Sequence, residues 1–458
     1  MADCFRGSRS LLTRAKSARG LYVLAACILS QLPLGAASAL ELPAAVAAIE
    51  RQLDEDYPHL EALYRDLHAH PELAFQETRT AAKLAAEMSG LGYEVTTGLG
   101  TTGVVAVLYN GPGPTVMIRA DMDGLPMQEM SGLAYASKAR QAANGRETFV
   151  AHSCGHDIHM TVWVGVARVL METRGQWSGT VMFVGQPSEE GPNSGARAML
   201  DDGLFELFPK PDFGFALHVL SSAHGRVGYR AGSMSSNGDS LDIVFHGRGG
   251  HGSTPQRTID PVMQAARFIV DVQSVISREK DPAAFGVISV GSVQAGNAGN
   301  VIPDNATMSG TIRSYETAVR TRMLDGIQRT ARGVAVMAGA PEPDVVIRAI
   351  RSAVINDSAL TAKTAAVFQA AFGDNAALMD APLFGSEDYS EFIAAGVPSF
   401  FFTIGGSDPA AIAAAANGGP AVPDNHSPYF APIPEPTIRT GVMAMSLAVL
   451  NAMPVAGQ

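Results

Sequence analysis

The chain has 458 residues, more than one ordinary domain needs, and its 47% hydrophobic content supplies a sizeable core, so two domains are expected. Charged residues are sparse at 17%, and 47 glycines and 27 prolines are spread along the whole chain, which argues against long disordered or low-complexity tracts. With 33 basic against 44 acidic residues the formal charge is −11, a field unsuited to nucleic acid or anionic lipid.

In chain order, Arg6, Arg9, Arg14, Lys16 and Arg19 precede an uninterrupted apolar run at 21–29. That order reads as an export signal, because the run is about half the length of a membrane-spanning helix. Ala37-Ser38-Ala39 has the small-x-small form of a cleavage site, so residues 1–39 are expected to be a signal peptide and Leu40 the mature N-terminus. The product would be periplasmic or secreted and still more acidic. Two readings compete: lipoprotein processing at Cys27, within Leu24-Ala25-Ala26-Cys27, and a retained membrane anchor, which needs a longer apolar segment. Cleavage after Ala39 removes Cys4 and Cys27 and leaves Cys154 alone, so no intramolecular disulfide can form. A lone thiol in an oxidising compartment calls for burial or a metal.

Apolar spacing predicts a helix at 78–89, closed by Gly90 and Gly92, then strands at 104–108 and 115–120 separated by a Gly-Pro turn. The second strand leads into Asp121-Met122-Asp123. A helix follows at 158–172. Further strands at 180–185 and 213–217 end at Gln186-Pro187-Ser188-Glu189-Glu190 and at His218. Strand, polar residue, then helix is the pattern of an α/β sheet, whose ligands bind beyond the carboxyl ends of its strands. From about Ser235 the character changes. A strand at 241–246, a helix at 261–277, strands at 285–293 and 306–312, a helix at 318–337 and a strand at 345–350 form a βαββαβ unit. The main sheet resumes with a helix at 358–372, a strand at 399–404 and a helix at 437–450. The expected organisation is a catalytic domain at 40–234 and 348–458, with an inserted unit at 235–347.

The chemistry concentrates at the strand ends. Ala151-His152-Ser153-Cys154-Gly155-His156-Asp157-Ile158-His159 places three of eleven histidines in eight residues, and Gly155 permits the turn that brings Cys154 and His156 to one ion. The bland reading of Cys154 is an inert core thiol. Glu189 and Glu190 offer one carboxylate for a metal and one free base, although such pairs are commonly solvated surface turns. Asp121 and Asp123 read equally as turn residues before Pro126, and His218 as a satisfied core histidine. Their joint appearance at successive strand ends favours a shared polynuclear metal site.

Asp121-Met122-Asp123-Gly124-Leu125-Pro126, His152-Ser153-Cys154-Gly155-His156-Asp157, Gln186-Pro187-Ser188-Glu189-Glu190 and Gly385-Ser386-Glu387-Asp388-Tyr389 together resemble one family. It is the amidohydrolase family of hippurate hydrolase and the auxin-amino-acid conjugate hydrolases, within the dinuclear metallopeptidases that include aminoacylase and carboxypeptidase G. The resemblance runs from His68-Ala69-His70-Pro71-Glu72 to His426. It implies a catalytic domain with a central mixed sheet flanked by helices, and an inserted α+β lid and dimerisation domain. It also implies Cys154, His156, Glu190, His218 and His426 as ligands of two divalent ions, manganese, zinc, cobalt or nickel. Glu189 is then the general base, Asp123 orients a ligand, and His251 in Gly249-Gly250-His251-Gly252 supports the oxyanion. Asn300 and Arg313 match positions that hold the substrate carboxylate; a turn residue and a solvated strand-end charge are their bland alternatives. Asp121 stands where many relatives have a metal histidine. His68 and His70 receive no role beyond a helix boundary. Ser153, Ser188 and Gly124 replace alanines usual in the family, and none removes a ligand.

The expected activity is hydrolysis of N-acyl amino acids by an exported, homo-oligomeric enzyme. A dipeptidase or carboxypeptidase on the same site, and a binding module without turnover, are the alternatives; the retained Glu189 speaks against the last.

Overall fold

The computed structural model describes residues 40–143 and 145–455. The expected signal peptide, with Cys4 and Cys27, lies outside the described residues.

The main sheet is mixed and eight-stranded. Its order is Glu94–Leu99, Gly103–Asn110, Gly179–Gln186, Thr115–Asp121, Phe213–Ala223, Ser399–Ser407, Val227–Tyr229 and Ala376–Leu378. Four central strands run parallel, from Gly179–Gln186 across to Ser399–Ser407. They are apolar on both faces because helices cover both. On one face Leu42–Ala69, His156–Glu172 and Pro434–Ala452 pack together. Trp163 meets Phe183 edge to face, and Phe183 meets Tyr93 the same way. Each such side chain contributes about 1.5–3 kcal/mol on burial.

The strand expected to end at residue 217 continues to Ala223 because Ser399–Ser407 pairs along it as far as Ala223. His218 therefore sits inside a strand rather than beyond it.

Residues 237–351 carry a second sheet with its own core. Its order is Gly286–Gln294, Asn305–Ser314, Asn237–His246 and Asp344–Arg351, all antiparallel. Helices Pro261–Asp271 and Thr317–Ala338 cover one face, burying Phe245, Phe268, Ile312 and Ile327. The helix expected to reach residue 277 stops at Asp271. A wider turn, Val275–Glu279, follows it and closes where Lys280 N–H donates to the carbonyl of Val275. Among the described residues no helix is long and apolar enough to cross a membrane.

Candidate metal centre

The site forms where the central strands end. Gly155 has φ 91°, so the chain reverses between Cys154 and the helix that begins at His156. A Cβ at Gly155 would lie 2.3 Å from Val219 Cγ1, which leaves room for glycine alone. Asp157, in the first turn of that helix, suits its positive end. Ser188 also has positive φ, 48°, and turns Glu189 and Glu190 back toward the thiol.

Asp123 holds both halves of this arrangement. Its carboxylate accepts the N–H of Glu189 at 3.0 Å and of Glu190 at 2.8 Å, and its carbonyl accepts the Nδ1 proton of His156 at 2.8 Å. His156 Nε2 is buried without a hydrogen-bond partner. His218 donates Nδ1 to the carbonyl of Val219 at 2.8 Å, which turns Nε2 toward Cys154 Sγ, 3.4 Å away. His426, with φ 66°, places Nε2 3.0 Å from Glu190 Oε1. Asn425 ties this loop to the carbonyls of Cys154 and Val219.

Cys154, His156 and His218 thus form one group of potential ligand atoms, and Cys154, Glu190 and His426 another, each within 4.8 Å. Two imidazoles whose outer nitrogens are fixed by carbonyls, a thiol and a carboxylate fit a pair of divalent cations. The unpaired His156 Nε2 is the observation that favours a ligand there.

Burial, and then Glu190, push the Cys154 thiol well up. Burial opposes ionisation of Glu190, yet its contact with His426 and the charge on His156 hold it down at about 2. Burial, then His159, lowers His218 to about 3, keeping it neutral. Burial and the neighbouring Glu387 raise Glu189 well above the usual carboxylate range, with Arg351 acting the other way.

Several contributors were not singled out from sequence. His159 is buried, donates Nδ1 to Asp121 at 2.6 Å, and accepts the N–H of Val219 at 2.9 Å. Its spacing of three from His156 on one helix was the available signal. Arg119 is buried against Asp121 at 2.8 Å, Glu387 at 2.9 Å and Asp388 at 3.2 Å, with Gln186 accepting from Nε at 2.8 Å. A guanidinium in an apolar strand, two residues before Asp121 and so on its face, could have announced this network. Asp121 therefore pairs with Arg119 and His159, and lies 3.6 Å from His156. His68 also has a place, between Asp157 at 2.6 Å and Glu129 at 3.0 Å. His70 is exposed at the end of its helix.

A cavity of about 750 Å³ opens over these groups, with Glu189, Glu190, Cys154 and His218 in its wall. Arg313 and Arg351 reach it from the second sheet. His251 and Asn300 do not line it. They lie side by side and exposed in the second unit, where His251 pairs with Val301 and Gly252 N–H donates to the carbonyl of Asn300.

Residues 117–426 match the family model described as peptidase family M20/M25/M40. The chain belongs to this family. A hippurate hydrolase from Campylobacter jejuni is 36% identical to this M20 protein over 335 residues, covering 72% of this chain and 84% of that one. An IAA-amino acid hydrolase of Arabidopsis thaliana is 33% identical over 353 residues, 75% of this chain and 76% of the other. Among solved structures, a dinuclear metal binding M20 peptidase from Bacillus subtilis superposes with a TM-score of 0.70 at 28% identity, covering 87% of this chain and 100% of that one.

Proposed function

We propose that this M20 protein is a metal-dependent amidohydrolase that cleaves the amide bond of N-acyl amino acids. One observation carries the reading: on a single turn held by Asp123, Glu190 joins the thiol and imidazoles while Glu189 faces the cavity beside them. Relatives named hippurate hydrolase, IAA-amino acid hydrolase and, in Bacillus subtilis, N-acetylcysteine deacetylase support the substrate class.

Cys154, His156, Glu190, His218 and His426 would hold two divalent cations, such as manganese, zinc, cobalt or nickel. When bound, such ions supply Lewis acidity to water and to the scissile carbonyl. Glu189 takes the proton of the attacking water and returns it to the leaving nitrogen, a task suited to a buried carboxylate whose proton affinity is raised. Asp123 fixes the His156 tautomer and the Glu189-Glu190 turn. Leu220, Leu383 and Phe384 offer the acyl group an apolar wall, with Phe384 68% exposed at its edge. Arg313 takes the substrate carboxylate. His251 serves the oxyanion only when the second unit moves or a second copy supplies it, because it stands outside the cavity of one chain. Exposed Val262, Met263, Val336 and Met337 on the helices of that unit support assembly of like chains. Residues 1–39 direct export, with cleavage after Ala39.

The test is amine release from N-acetyl, N-benzoyl and indoleacetyl amino acids by the chain from Leu40 onward, dialysed and then resupplied with each metal. No release with any metal sinks the reading. A carboxypeptidase reading draws support from a relative named thermostable carboxypeptidase 2, from Saccharolobus solfataricus, 31% identical over 84% of this chain. Faster cleavage of a dipeptide than of the matching N-acyl amino acid would favour it.

A further inference from the structure

Two guanidiniums face the cavity of Glu189 and Glu190 from either side of a glycine. Gly238 is opposite Arg313 on one neighbouring strand and opposite Arg351 on the other. Residues directly opposite in an antiparallel pair share a face, so Arg313, Gly238 and Arg351 form a row across one side of the sheet. The aim of Arg351 depends on a bulge. Asp239 is opposite Ala349, so an unbroken register would bring Ile350 opposite Gly238 and turn Arg351 to the other face. The register shift between Gly238 and Asp239 leaves Ile350 out, exposed, and directs Arg351 at the cavity.

Glycine in the middle of the row makes room for the Ser386 side chain, which packs over it beside Arg313. A Cβ at position 238 would lie 2.8 Å from Ser386 Oγ and 3.6 Å from Arg313 Nη1. Neither arginine has a carboxylate at hydrogen-bond distance. Arg313 donates to the carbonyl of Ile312 at 3.0 Å and makes no ion pair among the described residues. Arg351 donates to the carbonyl of Gly191 at 3.3 Å, stands 3.6 Å from Glu189 Oε1, and keeps a buried Nε without a partner. Arg119, by contrast, is matched by three carboxyl groups, and Arg320 by both oxygens of Asp239. Burial holds Arg313 below its ordinary pKa; the charge of Asp239 acts the other way and that of Arg351 adds to the lowering.

We propose that Arg351 is a substrate-binding residue, and that Arg313 and Arg351 clamp the carboxylate of the released amino acid between them across Gly238. This rests on the amidohydrolase reading above. Planar guanidiniums suit a carboxylate oxygen each. A neutral carboxamide in the same place leaves two cations facing one another, so the clamp selects acids over amides.

The experiment compares kcat/KM for an N-acyl amino acid and its α-carboxamide in the wild type, Arg351→Gln, Arg351→Lys and Arg313→Gln. The wild type is expected to prefer the acid. Each glutamine variant should lower the acid-to-amide ratio about tenfold or more, mainly through KM for the acid, with Arg351→Lys in between. A ratio unchanged by Arg351→Gln overturns the clamp, since a purely structural role, or one acting through Glu189, slows both substrates alike. If the wild type cleaves neither compound, the amidohydrolase reading fails by itself. Calorimetric binding of the same acid to metal-loaded wild type and Arg351→Gln then decides: affinity lost in the variant upholds the clamp, while equal or absent binding ends it.

Discussion

His159 donates its Nδ1 proton to the buried carboxylate of Asp121 at 2.6 Å, while its Nε2 accepts the backbone N–H of Val219. Burial lowers the imidazole pKa, so the ring works as a neutral bridge between two strand ends. Asp121 lies 3.6 Å from His156, which makes this bridge part of what positions that candidate ligand. Replacing His159 by leucine strands a buried acceptor and a buried donor, at about 1–3 kcal/mol each. Urea unfolding should show the loss, and metal analysis should show fewer ions per chain. An unchanged midpoint and metal content would remove His159 from the site.

Glu189 and Glu190 are adjacent yet face different tasks, and substitution should separate them. Glu189→Gln is expected to retain metal and lose turnover by about 10²–10⁴-fold, the contribution of a positioned base. Cys154→Ala should instead lower metal content. Metal analysis beside amine release distinguishes the two; a Glu189→Gln enzyme as fast as wild type would reject the base.

Gly155 gives a sharper geometric test. Alanine there must adopt φ 91° and place a methyl group 2.3 Å from Val219 Cγ1. Backbone strain alone costs about 1–3 kcal/mol. Because Cys154 and His156 flank the turn, Gly155→Ala should weaken metal binding more than an equally destabilising change in the second unit, such as Ile327→Ala. Equal metal affinities in the two variants would show that the turn matters for folding alone.

Most of the site was legible because its residues close apolar strands, where a period of two gives way abruptly to acids and imidazoles. Asp123, the Glu189-Glu190 turn and the Gly155 reversal all carry that signature. Long-range register is different. Arg351 reaches the cavity through a one-residue bulge, and no periodicity reveals a shift set by pairing with Asn237–His246. His251 and Asn300 were expected at the substrate, but their distance from it depends on how the second sheet stands over the first. His218 lies inside its strand because residues 399–407, far away in sequence, extend the pairing.

His68 ties stability to pH. Burial disfavours its charge, but the carboxylates of Asp157 and Glu129 outweigh that and lift its pKa from 6.5 to about 10. A pKa raised on folding means that the folded state binds the proton more tightly than the unfolded chain does. The stabilisation is therefore complete below about pH 6.5, and it disappears as pH rises through about 10. His68→Gln keeps a donor without the charge, so its thermal midpoint should fall below that of the wild type in mildly acidic buffer and approach it above pH 10. Calorimetric scans of both proteins across that range make the comparison. Parallel curves would mean that His68 is neutral in the folded protein, and that Asp157, the first-turn residue next to His156, is held by hydrogen bonding alone.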